Sequence, residues 1–198
     1  MAASRKNLVM AGVALSVALA VICGVYIFQS SLQRPRLPVL GQVKPFTFTD
    51  AQNKKLAAQD LYRNVWIAGA FSTPCVNGCN AMMKNMASLS RTFEQVTAVK
   101  LVAVTLSPVR DTPQVLSEFS GRYVQGKGNW FFVGGRREEV DEFVQRQLRL
   151  DLDATGAFSP TLALVDRSGY IRGYYDGTVT AEVNQLFLDA SALLKERF

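Results

Sequence analysis

The first pattern along the chain is an uncharged apolar stretch that follows two basic residues. Residues 8–28 contain no charged side chain and come shortly after Arg5 and Lys6. A helix of that length, at about 1.5 Å per residue, spans a hydrocarbon core of about 30 Å. The pattern therefore predicts a membrane anchor followed by a polar tether that prolines interrupt. The predicted parts are a cytoplasmic tip and anchor at 1–29, with its helix at about 8–28, a tether at 30–36 and a folded domain at 37–198.

Two other interpretations of this stretch are disfavoured by its length and by the residues around Cys23. A secretory signal peptide has a shorter apolar region, of about 7–15 residues, and ends in a cleavage site of small residues, which is not evident here. A lipoprotein signal needs a small residue before its cysteine, whereas Ile22 precedes Cys23. We therefore expect a retained single-pass anchor in a bacterial inner membrane or an equivalent energy-transducing membrane, with the domain facing the periplasm.

The domain alternates apolar strands with helices that have one apolar face. The run 99–106 is too apolar for an exposed edge and is typical of a central strand covered on both faces. After Cys79, Met82, Met86 and Leu89 recur with helical spacing. An α/β domain with its sheet covered by helices on both faces follows. The predicted strands are at 46–48, 65–67, 99–106, 130–133, 161–165 and 170–175, and the helices at 82–93, 114–122, 138–148 and from 180 onward.

Turn residues indicate where some of these elements begin. Thr112 is followed by Pro113, a pair that caps a helix and occupies its first position. Thr180 is predicted to cap the last helix. Residues 166–169, Asp-Arg-Ser-Gly, predict a hairpin turn between the last two strands.

Charge adds little to this picture. The formal net charge is +6 at pH 7, but part of it flanks the apolar stretch and the rest is scattered along the domain. A surplus so small and dispersed does not suit a nucleic acid partner. All acidic residues lie from Asp50 onward, so a basic leader precedes a domain of mixed charge.

Cys75 and Cys79 are the candidate chemistry of the chain. They follow the apolar strand that starts at Val65 and precede the methionine-bearing helix. At a strand-to-helix junction, the unpaired N–H groups and the helix dipole favour a thiolate. In a helix, residues four apart have Cα atoms about 6 Å apart, inside the ~4.4–6.8 Å range of a disulfide. The pair is therefore predicted to be a redox or soft-metal site.

Four segments carry a resemblance to a known family. They are FSTPCVNGCNAMM, LSPVRDTPQVL, GNWFFVGG and LALVDRSGYIRGYYDG, in this order along 37–198. In sequence and spacing they resemble the Sco/SenC family of membrane-anchored thioredoxin-fold proteins. The resemblance implies a thioredoxin-like domain that serves assembly of the copper centre of cytochrome oxidase, as a copper chaperone, a thiol reductase or both. It also implies that copper is held by the two cysteines and a histidine just before the LVD strand.

The chain departs from that family pattern at the metal site. It contains no histidine, and Phe158 stands at the position of the family's histidine. Ser107 replaces the aspartate that usually begins the family's DPxRDT segment. Cu(I) tolerates two or three soft ligands, so Cys75 and Cys79 remain a metal site, with Met83 as a third sulfur or as a core residue. Cu(II) loses its imidazole ligand, and no stable Cu(II) complex is expected.

Pro160 completes the predicted site. The segment 159–161, Ser-Pro-Thr, resembles the thioredoxin loop whose cis proline packs beside the active-site disulfide. We expect a cis bond before Pro160, and a trans proline at a strand start is the alternative. Cys75, nearer the helix start, is predicted to attack a partner disulfide as a thiolate, and Cys79 to resolve the mixed disulfide.

Other functions fit the same two thiols. Ser72 lies three residues before Cys75, as in the Thr-x-x-Cys pattern of a peroxiredoxin-like peroxidase, but Ala68 stands where that family has a proline. A Cu(I)-carrying chaperone, a docking factor without turnover and a structural disulfide are the non-enzymatic alternatives. The expected partners are the membrane and a respiratory copper protein such as an oxidase subunit, or another thiol-disulfide protein.

Overall fold

Eight strands form one mixed sheet in the part of the chain that the structure describes. The structure is a computed structural model that describes residues 10, 15–25, 36–76, 78–124, 128–154, 156 and 158–196. The strands are β1 (Gly41–Gln42), β2 (Thr47–Asp50), β3 (Lys55–Ala57), β4 (Val65–Phe71), β5 (Val99–Thr105), β6 (Trp130–Gly134), β7 (Thr161–Val165) and β8 (Tyr170–Asp176). Their order across the sheet is β1-β8-β7-β4-β5-β6-β2-β3.

The helices follow the strands in sequence. Residues 15–25 form α1. The others are α2 (Ala58–Leu61), α3 (Gly78–Thr92), α4 (Pro113–Ser120), α5 (Arg137–Asp141) and α6 (Thr180–Leu193). A π-helical turn at Glu142–Gln147 continues α5, so the single helix predicted at 138–148 changes its winding. The Leu148 N–H accordingly bonds the Phe143 carbonyl, five residues back.

The strand β4 lies in the middle of the sheet and carries the chain to the candidate site. It runs parallel to β5 and antiparallel to β7. All seven of its residues are buried. Ile67 and Phe71 contribute to one apolar cluster, and Trp66 and Ala70 contribute to another on the opposite face. Because both faces of β4 are apolar, both must be covered by other elements, as was predicted for the neighbouring run 99–106.

Helices provide that cover on each side. One cluster includes buried side chains from α3, α4 and α6. The other includes buried side chains from α2, α5 and the π-helical turn. The predicted α/β architecture, a central mixed sheet with helices on both faces, is therefore confirmed for the domain.

The two predicted helix caps have different outcomes. Thr112 caps α4, since its hydroxyl accepts a bond from the Val115 N–H and Pro113 occupies the start of the helix. The prediction for Thr180 is wrong, because α6 begins at Thr180 and Val179 is the capping residue without a side-chain bond. The turn before α6 is instead closed by Asp176, whose carboxylate accepts bonds from the Thr178 N–H and hydroxyl.

The N-terminal part of the chain is a separate unit. The chain divides into Met1–Arg36 and Leu37–Phe198. Among the described residues, no helix combines the length and the apolar character needed to cross a membrane. The ends of the predicted 8–28 helix and most of the 30–36 tether lie outside the described residues. The anchor and the tether remain predictions.

Candidate redox site

The two cysteines lie at the turn between β4 and α3. β4 ends at Phe71, and the helix starts at Gly78. Cys75 is half-buried just before the helix, and Cys79 is buried in its first turn. A disulfide joins them, with their Cα atoms 5.3 Å apart. Cys75 therefore lies on the turn and Cys79 within the first turn of the helix, at the strand-to-helix junction that the sequence predicts.

Asp111 fixes the turn that carries Cys75. Its buried carboxylate accepts a bond from the Thr73 N–H at 3.1 Å and another from the Thr73 hydroxyl. The Thr105 hydroxyl, at the end of β5, donates to the same carboxylate at 2.5 Å. The Arg110 guanidinium lies 3.6 Å away. The loop after β5 is thus bound to the loop after β4, two residues before Cys75.

Asp111 is a site residue that no sequence motif identified by itself. It lies within the RDTP segment that carries the family resemblance, and that was the available signal. Aspartate is almost never fully buried unless it is paired. Its burial depends on hydroxyl and amide donors from two separate loops, which no local pattern reveals.

Replacement of Asp111 by asparagine is expected to destabilise the domain by about 1–3 kcal/mol, because a buried donor at Thr73 or Thr105 loses its acceptor. Urea denaturation of the full chain measures this change. The matched control is Asp151→Asn, which alters an exposed carboxylate and is expected to change stability by less than about 0.5 kcal/mol. Equal stability of the two variants would contradict the positioning role of Asp111.

Phe158 packs against the start of α3. A Cβ atom added to Gly78 would lie 2.9 Å from the Phe158 Cζ atom, so the ring rests on the backbone between the two cysteines. The Phe158 N–H and carbonyl bond to Asp153, at 3.3 and 2.8 Å, and hold the loop in this position. An apolar ring therefore occupies the position at which the resemblance implies a metal ligand.

Pro160 lies beside the same turn, but the expected cis bond is wrong. The cis peptide bond among the described residues precedes Pro74 instead. The Ser159 N–H donates to the Ala70 carbonyl at 3.0 Å, which places this loop next to the end of β4. Pro160 directly precedes β7. A trans proline is tolerated at the start of a strand, because the N–H that proline lacks is not needed for strand pairing there.

Gly177 connects Pro160 to α3. Its N–H donates to the Pro160 carbonyl at 2.6 Å, and its own carbonyl accepts a bond from the Asn85 side chain at 2.8 Å. A Cβ atom at Gly177 would lie 2.8 Å from Met82 and 2.9 Å from Leu162. The glycine of the YYDG segment is therefore required by close packing, and the segment positions the proline loop.

Tyr123 contacts the helix start from another side. Its hydroxyl donates to the Asn80 side-chain oxygen at 3.1 Å, next to Cys79. Burial raises the pKa of Tyr123, and the neighbouring Arg122 charge opposes part of that rise. Tyr123 therefore remains a protonated donor at neutral pH.

The sulfur and carboxylate ligands available for a metal are few. Met83 is fully buried in the apolar cluster that contains Ile67 and Phe71, and so are Met82 and Met86. Among the described residues, no group of three or more His, Cys, Asp or Glu side chains is placed to hold a metal ion. The site offers two cysteine sulfurs, and its donor set does not suit Cu(II).

Comparison with known proteins decides the family. The sequence model of the SCO1/SenC family matches residues 39–184. The chain belongs to the SCO1/SenC family. A curated relative, the SCO1 protein homolog of Bacillus subtilis (strain 168), is 27% identical over 119 residues, which are 59% of this chain and 62% of that relative. The match thus spans less than two thirds of the relative's length.

Solved structures of SCO1/SenC proteins share the fold. A SCO1/SenC family lipoprotein from Bacillus anthracis str. Ames has a TM-score of 0.73 and 24% identity, covering 82% of this chain and 100% of that protein. A second structure is that of BsSco, a member of the Sco family of cytochrome c oxidase assembly proteins, and a disulfide switch was identified in BsSco. It has a TM-score of 0.72 and 22% identity, and the match covers 83% of this chain and 100% of BsSco. The predicted family and its thioredoxin-like fold are confirmed.

Proposed function

We propose that this SCO1/SenC protein is a membrane-anchored thiol-disulfide oxidoreductase that acts through Cys75 and Cys79. Its target is a cysteine pair of a respiratory copper protein such as cytochrome oxidase, because a cysteine binds copper as a thiolate and not within a disulfide. The anchor holds the domain on the periplasmic side of the inner membrane, or in an equivalent oxidising space. The 8–28 apolar stretch supports this placement.

The observation that carries the proposal is the position of the two sulfurs. Cys75 is half-buried at the N-terminal end of α3, where unpaired N–H groups favour its thiolate, and Cys79 lies buried within bonding distance. The more accessible thiolate attacks, and the buried one resolves. Phe158 packs on Gly78 at the position of the family's histidine. The imidazole ligand that would favour stable copper binding is therefore absent.

A cellular experiment tests this function. In the native host, deletion of the chain is expected to lower assembled cytochrome oxidase and to leave the copper-site cysteines of the oxidase subunit oxidised. The intact chain is expected to restore both, and the Cys75→Ser variant neither. Normal oxidase assembly and reduced subunit cysteines in the deletion strain would overturn the proposal.

A Cu(I) carrier or docking factor is the second candidate, because two cysteine thiolates suffice as soft ligands for Cu(I). Anaerobic titration of the reduced full chain with Cu(I), against a competing chelator, separates the two functions. Tight one-to-one binding that disappears when both Cys75 and Cys79 are serine would favour the carrier. Weak binding beside efficient disulfide reduction favours the oxidoreductase.

Replacement of Phe158 by histidine is expected to create Cu(II) binding in the reduced protein, since an imidazole nitrogen then adjoins the two sulfurs. The measurement is the appearance of a thiolate-to-Cu(II) absorption band, absent from the natural protein. Tyr170→His is the matched control, because it adds a histidine at the start of β8. A band in both variants, or in neither, would contradict the role assigned to Phe158.

A further inference from the structure

Three exposed apolar side chains lie on two neighbouring loops, one of which carries Cys75. Val109, on the loop after β5, is 90% exposed, and Val76, on the cysteine turn, is 59% exposed. Pro74, also on the cysteine turn, is exposed. The loops are bound together by Asp111, which accepts two hydrogen bonds from Thr73. We call Pro74, Val76 and Val109 the valine rim.

The valine rim differs from an ordinary scatter of exposed apolar residues. Single exposed valines are common and need no explanation. Here a buried carboxylate joins the loop of Val109 to the turn on which Pro74 and Val76 adjoin the half-buried Cys75, and the three apolar side chains remain in solvent. A partner segment that lies across both loops and reaches Cys75 buries the rim, and that burial stabilises the complex.

An exposed guanidinium, that of Arg110, follows Val109 in the chain. The Arg110 side chain is 59% exposed, and its ion-pair partner Asp111 is buried and already bonded to Thr73 and Thr105. Among the described side chains, no other carboxylate lies within ion-pair distance of Arg110. The residues Ser107–Arg110 and Arg137 line a cleft of about 290 Å³.

Arg137 extends this positive side of the cleft. One of its guanidinium nitrogens donates to the Leu106 carbonyl at 3.1 Å, and another pairs with Asp141 at 2.8 Å. Arg137 is therefore hydrogen-bonded to its carboxylate partner. Arg110 lies 3.6 Å from its own, which already accepts shorter bonds from Thr73 and Thr105, so the exposed guanidinium can still donate to a partner. A partner segment that complements this surface therefore has apolar residues next to its cysteine and acidic residues where it contacts Arg110.

We infer that the valine rim and Arg110 form the docking surface for an extended, cysteine-bearing segment of the partner protein, with acidic residues near that cysteine. The inference rests on the proposed function and adds the chemistry of the segment that is recognised. The apolar contacts place the partner sulfur at Cys75, and Arg110 selects segments of negative charge.

The reaction on this surface is a two-step exchange. The Cys75 thiolate attacks the partner cysteine sulfur, the partner disulfide breaks, and its other sulfur leaves as a thiolate. The Cys79 thiolate then attacks the Cys75 sulfur, so that the Cys75–Cys79 disulfide forms and the partner thiolate is released. The protein dithiol supplies both electrons, and the partner disulfide becomes two thiols.

Peptide disulfides of opposite charge test the docking surface. Two short peptides carry one cysteine beside a leucine and are flanked by either two glutamates or two lysines. Each cysteine is oxidised as a disulfide with the neutral reporter thiopyridine. The pre-reduced full chain is mixed with each peptide, and thiopyridone release gives the rate. At low salt, the acidic peptide is expected to react about tenfold faster, a preference that high salt reduces.

Variants identify the residues responsible for this preference. Arg110→Gln is expected to bring the ratio of the two rates close to one, and Val109→Ser to slow both peptides while preserving the ratio. The matched controls are Arg146→Gln, at a side chain that is 82% exposed and paired with Glu142, and Val39→Ser, at another exposed valine. Both controls are expected to retain the natural ratio and rates.

A small neutral disulfide, hydroxyethyl thiopyridyl disulfide, separates the two possible failures. If the natural protein reduces it but shows no charge preference between the peptides, or if Arg110→Gln keeps the preference, the docking inference is overturned and the proposed function stands. If the natural protein reduces neither the small disulfide nor the peptides, the proposed function itself is overturned.

Discussion

Replacement of Cys75 by serine is expected to abolish reduction of a small disulfide by the full chain, down to the rate of the reagent alone. The reason is positional, because Cys75 is the more accessible sulfur and lies at the N-terminal end of α3. A helix N-terminus and its dipole stabilise a thiolate, which is the attacking species. The buried Cys79 sulfur cannot replace it in the first step.

The Cys79→Ser variant separates the two steps. It is expected to keep the first attack and to accumulate a mixed disulfide at Cys75, since the resolving thiol is absent. Mass spectrometry of the full chain detects this adduct. Cys23→Ser is the matched control, because Cys23 is a free, exposed cysteine in α1, and its loss is expected to leave the rate unchanged. Natural turnover in Cys75→Ser or in Cys79→Ser would contradict these roles.

Arg172 is expected to be the most sensitive stability position of the domain. Its buried guanidinium pairs with the buried Asp166 carboxylate at 2.9 Å and with Glu196 at 3.3 Å. It also donates to the Leu37 carbonyl at 2.6 Å and to the Pro38 carbonyl at 3.1 Å. One side chain thus connects the first residues of the domain to the β7–β8 turn and to the C-terminal segment.

Replacement of Arg172 by methionine is expected to cost about 3–5 kcal/mol, because Asp166 is left buried without its counter-charge. For a domain of this size, that loss lowers Tm by roughly 6–20 °C. Calorimetry of the full chain measures it. The matched control is Arg146→Met, which removes an exposed pair with Glu142 and is expected to cost about 0.5 kcal/mol or less. A similar Tm for both variants would contradict the importance of the buried pair.

The central strands were predictable because their sequence is apolar on both faces. β4 and β5 are buried almost throughout, and a continuous apolar run has no other stable position in a sheet of this kind. The edge strands β1 and β3 were not predicted. β1 consists of Gly41–Gln42, and its strand conformation comes from pairing with Tyr170 and Ile171 of β8, residues more than a hundred positions away.

The candidate site was predictable in its chemistry and less so in its geometry. Cys75, Cys79 and the neighbourhood of Pro160 were identified from motifs, whereas Asp111 was not, because its role depends on Thr73 in a distant loop. The cis bond was assigned to Pro160 by analogy with thioredoxins, while the structure has it before Pro74. The isomer of an X-Pro bond in an ordered loop is set by tertiary contacts, which the sequence pattern does not specify.

The equilibrium reduction potential of the Cys75–Cys79 pair decides whether the pair is a redox centre or a structural disulfide. The full chain is equilibrated anaerobically in thiol-disulfide buffers, and the fraction of disulfide is read by thiol alkylation. A pair that exchanges with partners is predicted to have a midpoint within the range of catalytic dithiols, about −270 to −120 mV. A midpoint below about −300 mV, typical of structural disulfides, would contradict the claim that this pair is a redox centre.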